Sequence, residues 1–125
     1  MKWPEPVSRS FAHINPAIYV PMQGPSELGA SGKLLTWDRT ADLPNISVPA
    51  LVIGARHDTM DPGFMEMMAT KLQRGSFLYC PNGSHLAMYD DQAVYFEGII
   101  DFIGKVEREV AAGPRAANLA AKGGS

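Results

Sequence analysis

The chain has one cysteine among its 125 residues, Cys80, which excludes an internal disulfide framework and a multi-cysteine zinc site. It also lacks a surplus of basic charge. Eleven Lys and Arg stand against 13 Asp and Glu, a net charge of -2 with no stripe suited to a phosphate backbone, so nucleic acid is not an expected partner. No apolar run approaches the ~20 residues that span a membrane. The start, Met1-Lys2-Trp3-Pro4-Glu5-Pro6, has prolines and an acid where a signal peptide has its apolar core. A cytoplasmic protein without membrane association is expected. His13, His57 and His85 lack the i, i+4 spacing of helical metal ligands, and Asp58 with Asp61 makes no calcium loop, so no metal site is expected. What remains, 46% hydrophobic and 19% charged residues without internal repeats, is the composition of one globular domain or part of one.

Order is unevenly distributed along the chain. Up to about Gly32, Pro, Gly, Ser and Asn are frequent and apolar groups short, so regular structure there is expected to be brief. Leu34, Leu35 and Trp37 offer an apolar cluster, and Asp38 to Pro44 reads as a turn-rich connection. Val48 to Ile53 then forms an apolar, β-branched run closed by Gly54, as in a strand buried on both faces of a parallel sheet. Asp61-Pro62 has the form of a helix start, with Asp61 as N-cap. Met65, Met68 and Leu72 supply a buried stripe, and Gly75 is read as the stop. A second short strand, Phe77 to Cys80, precedes a long amphipathic helix marked by Ala93, Phe96, Ile99, Ile100, Ile103, Val106 and Val110. Residues 46–110 thus read as strand, helix, strand, helix. Residues 111–125, small and without aromatics, read as a disordered tail.

Such crossover units build parallel sheets whose functional loops lie beyond the carboxyl ends of the strands. Two titratable residues fall there. Asp58 follows the first strand in Gly54-Ala55-Arg56-His57-Asp58, and His85 follows the second in Asn82-Gly83-Ser84-His85. A carboxylate against a histidine fixes its tautomer and stabilises the imidazolium, which lets the histidine take a proton from a nucleophile. Alone, such an Asp is more often a turn or cap residue and such a His a surface residue. Their order, spacing and placement behind two strands favour the catalytic pair. His57 is read as structural or solvent-exposed.

From Met22 to Val106 these features resemble the C-terminal part of an α/β-hydrolase, and more closely a proline iminopeptidase-like serine peptidase. Its triad runs Ser, then Asp, then His, with the serine on a G-x-S-x-G turn. The resemblance assigns Asp58 as acid and His85 as base. Gly24-Pro25-Ser26-Glu27 resembles a Gly-Pro-Asn-Glu motif near the end of the family's cap, followed by matches at Gly32, Lys33, Trp37 and Asp38. By that resemblance Glu27 binds the substrate's free amino group, and residues 1–45 are the end of the cap with its connection. The implied reaction releases N-terminal proline from a peptide, with no cofactor.

The sequence departs from the family pattern twice. Thr59 stands where the relatives have a second acidic residue; Asp61 could supply that charge, although its place before Pro62 favours a helix cap. There is also no G-x-S-x-G, and Ser84 sits on the histidine loop. The nucleophile is therefore expected outside these residues, so that the chain reads as a fragment, a truncated product or one part of a split protein, inactive alone. Expected partners are a peptide or other small acyl substrate and an N-terminal half-domain or a second copy. A non-catalytic interaction module or remnant, and part of an ester or lactone hydrolase, remain as alternatives. The methionines 60, 65, 67 and 68 read as core, and Trp3 and Trp37 either as pocket walls or as packing anchors.

Overall fold

The computed structural model describes residues 3–26 and 29–122, with side chains to residue 113. Two compact units divide it, Met1–Arg39 and Thr40–Ser125. The boundary precedes the one read from the sequence at residue 45, because a 3₁₀ segment, Thr40–Asn45, packs with the second unit. Gln73 Nε2 anchors it there by donating to the Pro44 carbonyl at 2.6 Å.

In the first unit, α1 (Glu5–Phe11) and α2 (Pro16–Gln23) are short and bury no residue. Asn15 starts α2 by accepting the Ala17 N–H at 3.0 Å, with Pro16 preset for the first helical position. A 3₁₀ turn, Lys33–Thr36, follows. The cluster expected at Leu34, Leu35 and Trp37 is not buried: Trp37 is 66% exposed. Trp3 instead meets Phe11 edge to face, 5.6 Å between ring centroids.

The second unit contains the expected alternation. Strand β1 (Ala50–Ala55) pairs in parallel with β2 (Gly75–Cys80), Val52 opposite Phe77 and Ala55 opposite Cys80. Parallel pairing requires a crossover, and α3 (Pro62–Lys71) supplies it. Side chains alternate across the sheet. On one face the Phe77 ring and Met65 crowd Gly54. On the other, Ile53, Ala55, Leu78 and Cys80 pack with Ala87 of α4 (Ala87–Asp90) and with Val94 and Tyr95 of α5 (Gln92–Lys122). The core is small: Ala55, Ala69, Cys80 and Ala87 are its buried apolar residues. Burial pushes the Cys80 thiol above its usual range, reinforced by the charges of Asp91 and Asp90.

Several expectations are corrected. Strand β1 begins two residues later than expected and is only half-buried along most of its length, while Val48 is 62% exposed. Among the described residues the sheet has two strands, so each strand is an edge and stays open to solvent. Helix α3 already ends at Lys71; Gly75 instead opens β2, where an added Cβ would collide with the Ala69 carbonyl. Of the residues that mark α5 in the sequence, Ile99 and Val106 are half-buried, whereas Phe96, Ile100, Ile103 and Val110 are exposed. The helix has two apolar faces, and the sheet covers the one with Val94, Tyr95, Ile99 and Phe102. It also continues past Val110 to Lys122. No helix among the described residues is long and apolar enough to cross a membrane.

Candidate functional site

Both loops at the carboxyl end of the sheet begin where ladder hydrogen bonds run on into turns. The Arg56 N–H reaches the Cys80 carbonyl at 3.1 Å, and the His57 N–H reaches the Gly83 carbonyl at 2.9 Å, tying the two loops together. His57 thus contributes its backbone while its side chain is exposed. Gly83 is the only residue type that fits at this junction without displacement: a Cβ there would lie 2.9 Å from both the Cys80 and Ala87 Cβ atoms.

Across this stitched pair the Asp58 carboxylate meets His85. Oδ1 lies 3.1 Å and Oδ2 3.4 Å from Nδ1. Oδ1 also accepts the Met60 N–H at 3.2 Å and the Thr59 hydroxyl at 3.3 Å, so the loop itself orients the carboxylate. The two side chains differ in exposure, 12% for Asp58 and 63% for His85. The carboxylate is sheltered and the imidazole faces outward. With Nδ1 donating to Asp58, the tautomer leaves Nε2, on the far edge of the ring, as a proton acceptor. That arrangement can remove a proton from a hydroxyl brought to it and stabilise the imidazolium that results.

Beside the pair lies a hollow of about 190 Å³ lined by Asp58, Ser84 and His85 and walled by Ile53, Met60, Met65, Met88 and Tyr95. Met60, expected in the core, is 51% exposed and forms part of this wall. Met88 and Tyr95 are lining residues that the sequence did not single out; α4, a single turn, is too short to show a periodic signal. A second hollow, about 130 Å³ between Arg74, Ser76, Lys105 and Glu109, lies at the amino end of the strands, away from the pair. Arg74 and Glu109 pair with each other there at 2.7 Å.

The other residues singled out in the sequence stand as follows. Glu27 lies outside the described residues. Asp61 caps α3 by accepting the Gly63 N–H at 2.7 Å, the local use that the following proline favours. Ser84 donates its hydroxyl to Asp90, not to His85. Among the described residues no three His, Cys, Asp or Glu side chains gather as a metal site would require.

Comparison with known proteins gives these features their context. The crystal structure of VinJ superposes with a TM-score of 0.77 at 27% identity, over 85% of this chain and 36% of VinJ, and the fold is of the α/β-hydrolase class. Within that class the chain is similar to proline iminopeptidases. It is 51% identical over 108 residues to that of Flavobacterium johnsoniae (86% of this chain, 36% of the relative) and 52% identical over 110 residues to that of Chitinophaga pinensis (88% and 37%). The proline iminopeptidase of Saccharolobus solfataricus is 32% identical over 104 residues, 82% of this chain and 34% of the relative. The chain thus spans about a third of the length of these relatives and corresponds to a C-terminal region of them. No protein-family model matches it.

Proposed function

We propose that this chain supplies the acid and base of a serine aminopeptidase that releases N-terminal proline from peptides. The observation that carries the reading is the contact of Asp58 with His85 Nδ1 at 3.1 Å, at the carboxyl ends of two parallel strands. A serine from polypeptide outside these residues gives its hydroxyl proton to His85 Nε2 as its oxygen attacks the substrate carbonyl. His85 returns that proton to the leaving amine, Asp58 steadies the imidazolium, and water then releases the acyl group by the same route. Glu27 is assigned the substrate's ammonium group. No metal or cofactor takes part.

Without the nucleophile and its oxyanion donors the chain alone is inactive. The half of the fold that carries them is the expected partner, and two features support such association. Among the described residues the outer edges of both strands are unpaired, and α5 keeps an apolar row at Phe96, Ile100 and Ile103 exposed.

The test is hydrolysis of a proline arylamide by the chain alone and after co-expression with the remaining N-terminal part of the Flavobacterium johnsoniae relative, about two thirds of its length. Turnover is expected only in the assembled pair, with His85→Ala or Asp58→Asn lowering kcat by at least about 10³-fold. A soluble assembled pair with no turnover on the arylamide overturns the aminopeptidase reading. Esters and lactones are the second substrates to assay, because Thr59 spends its hydroxyl on Asp58 and adds no second charge for an ammonium group.

A further inference from the structure

The loop that carries His85 is gripped from behind by two carboxylates that the reaction above does not use. Asp91 is buried, and its Oδ2 accepts the Asn82 N–H at 3.1 Å. Asp90 takes both donors of Ser84, the N–H on Oδ1 at 3.0 Å and the hydroxyl on Oδ2 at 2.5 Å. The Ser84 oxygen in turn accepts the Leu86 N–H at 3.1 Å. The residues on either side of His85 are therefore fastened to one hydroxyl, and that hydroxyl to one carboxylate. At 63% exposure the imidazole has little packing to hold it. Its direction depends on the loop backbone and on Asp58.

We propose that Asp90, acting through Ser84, is a positioning residue for His85: it sets the direction in which the imidazole leaves the loop and so keeps Nδ1 on the Asp58 carboxylate. Desolvation pushes the Asp90 carboxyl upward, but the two bonds from Ser84, its own N–H and the nearby His57 outweigh it and hold the group below its usual range. Asp90 is thus ionised at neutral pH, and its bonds to Ser84 are charge-assisted. The same clasp gives Ser84 a task other than that of a nucleophile. The proposal rests on the reading of His85 as the base, and the experiment separates the two.

The chain is labelled with ¹⁵N-histidine, and the His85 signals are assigned by their loss in His85→Ala. The unsubstituted imidazole is expected in the Nδ1–H form. Asp90→Asn and Ser84→Ala are expected to shift it toward the Nε2–H form that unrestrained imidazole favours, with helix content by circular dichroism retained. Ser84→Thr, which keeps the hydroxyl, is expected to restore the starting form. If Asp58→Asn shifts the His85 signals while Asp90→Asn and Ser84→Ala leave them in place, the positioning role is overturned and the acid–base pair stands. If Asp58→Asn shifts nothing either, the pair itself is overturned. In the assembled enzyme Ser84→Ala is expected to lower kcat about 10-fold, within the ~10²-fold that a displacement of about 1 Å can cost, with KM within about 2-fold. A change confined to KM overturns the proposal.

Discussion

Helices α2 and α3 begin with the same device and come to different ends. Each has an Asx residue before a proline, and in each the Asx oxygen accepts the N–H two residues on, from Ala17 in one and Gly63 in the other. Their lengths, 8 and 10 residues, are similar. Yet α2 buries nothing, whereas α3 packs on both strands and buries Ala69. Capping decides where a helix starts; a sheet to cover decides whether it contributes to a core. Isolated helices of this length are marginal in water, so most of the stability of α3 comes from packing.

The largest test of that contrast is at Gly75, where the turn from α3 into β2 brings the backbone against the Ala69 carbonyl. A carbonyl within a packed helix cannot swing aside, so Gly75→Ala is expected to destabilise the second unit by about 1–3 kcal/mol in urea unfolding. An unchanged midpoint would mean that the approach of helix and strand is looser than described. The paired cap substitutions come next. Asp61→Ala is expected to lower the same transition by about 1 kcal/mol. Asn15→Ala is expected to reduce helical circular dichroism slightly without moving that transition, because the Asn15 cap bonds Ala17 within the first unit and α2 buries no residue. Equal shifts of the midpoint would erase the distinction between the helices. Smallest is Arg74→Ala: its partner Glu109 and Arg74 itself are nearly half exposed, and at most about 1 kcal/mol is expected, shrinking with added salt.

Much of the second unit was legible because its signals are local and coincide. The β-branched run before Gly54, the Asp61-Pro62 start and the short apolar stretch ending at Cys80 each specify an element, and their order specifies a crossover. The position of Asp58 and His85 past the strand ends was legible for the same reason. Two kinds of feature were not. The buried face of α5 could not be chosen from the sequence, since Val94, Tyr95, Ile99 and Phe102 on one side compete with Phe96, Ile100 and Ile103 on another, and helical periodicity accepts either. The grip of Asp90 on Ser84 was hidden too, because two acidic residues before a helix read equally well as solvated cap residues.

The sequence by itself determined the alternation of strands and helices, the cap at Asp61, and the loops on which Asp58 and His85 stand. All of these follow from short-range backbone preference and hydrophobic period. Tertiary structure alone decided the 3.1 Å contact of Asp58 with His85. It depends on the parallel register that sets Ala55 opposite Cys80 and on the His57 to Gly83 bond that joins the loops. Register is a relation between segments more than twenty residues apart, and no local preference carries it.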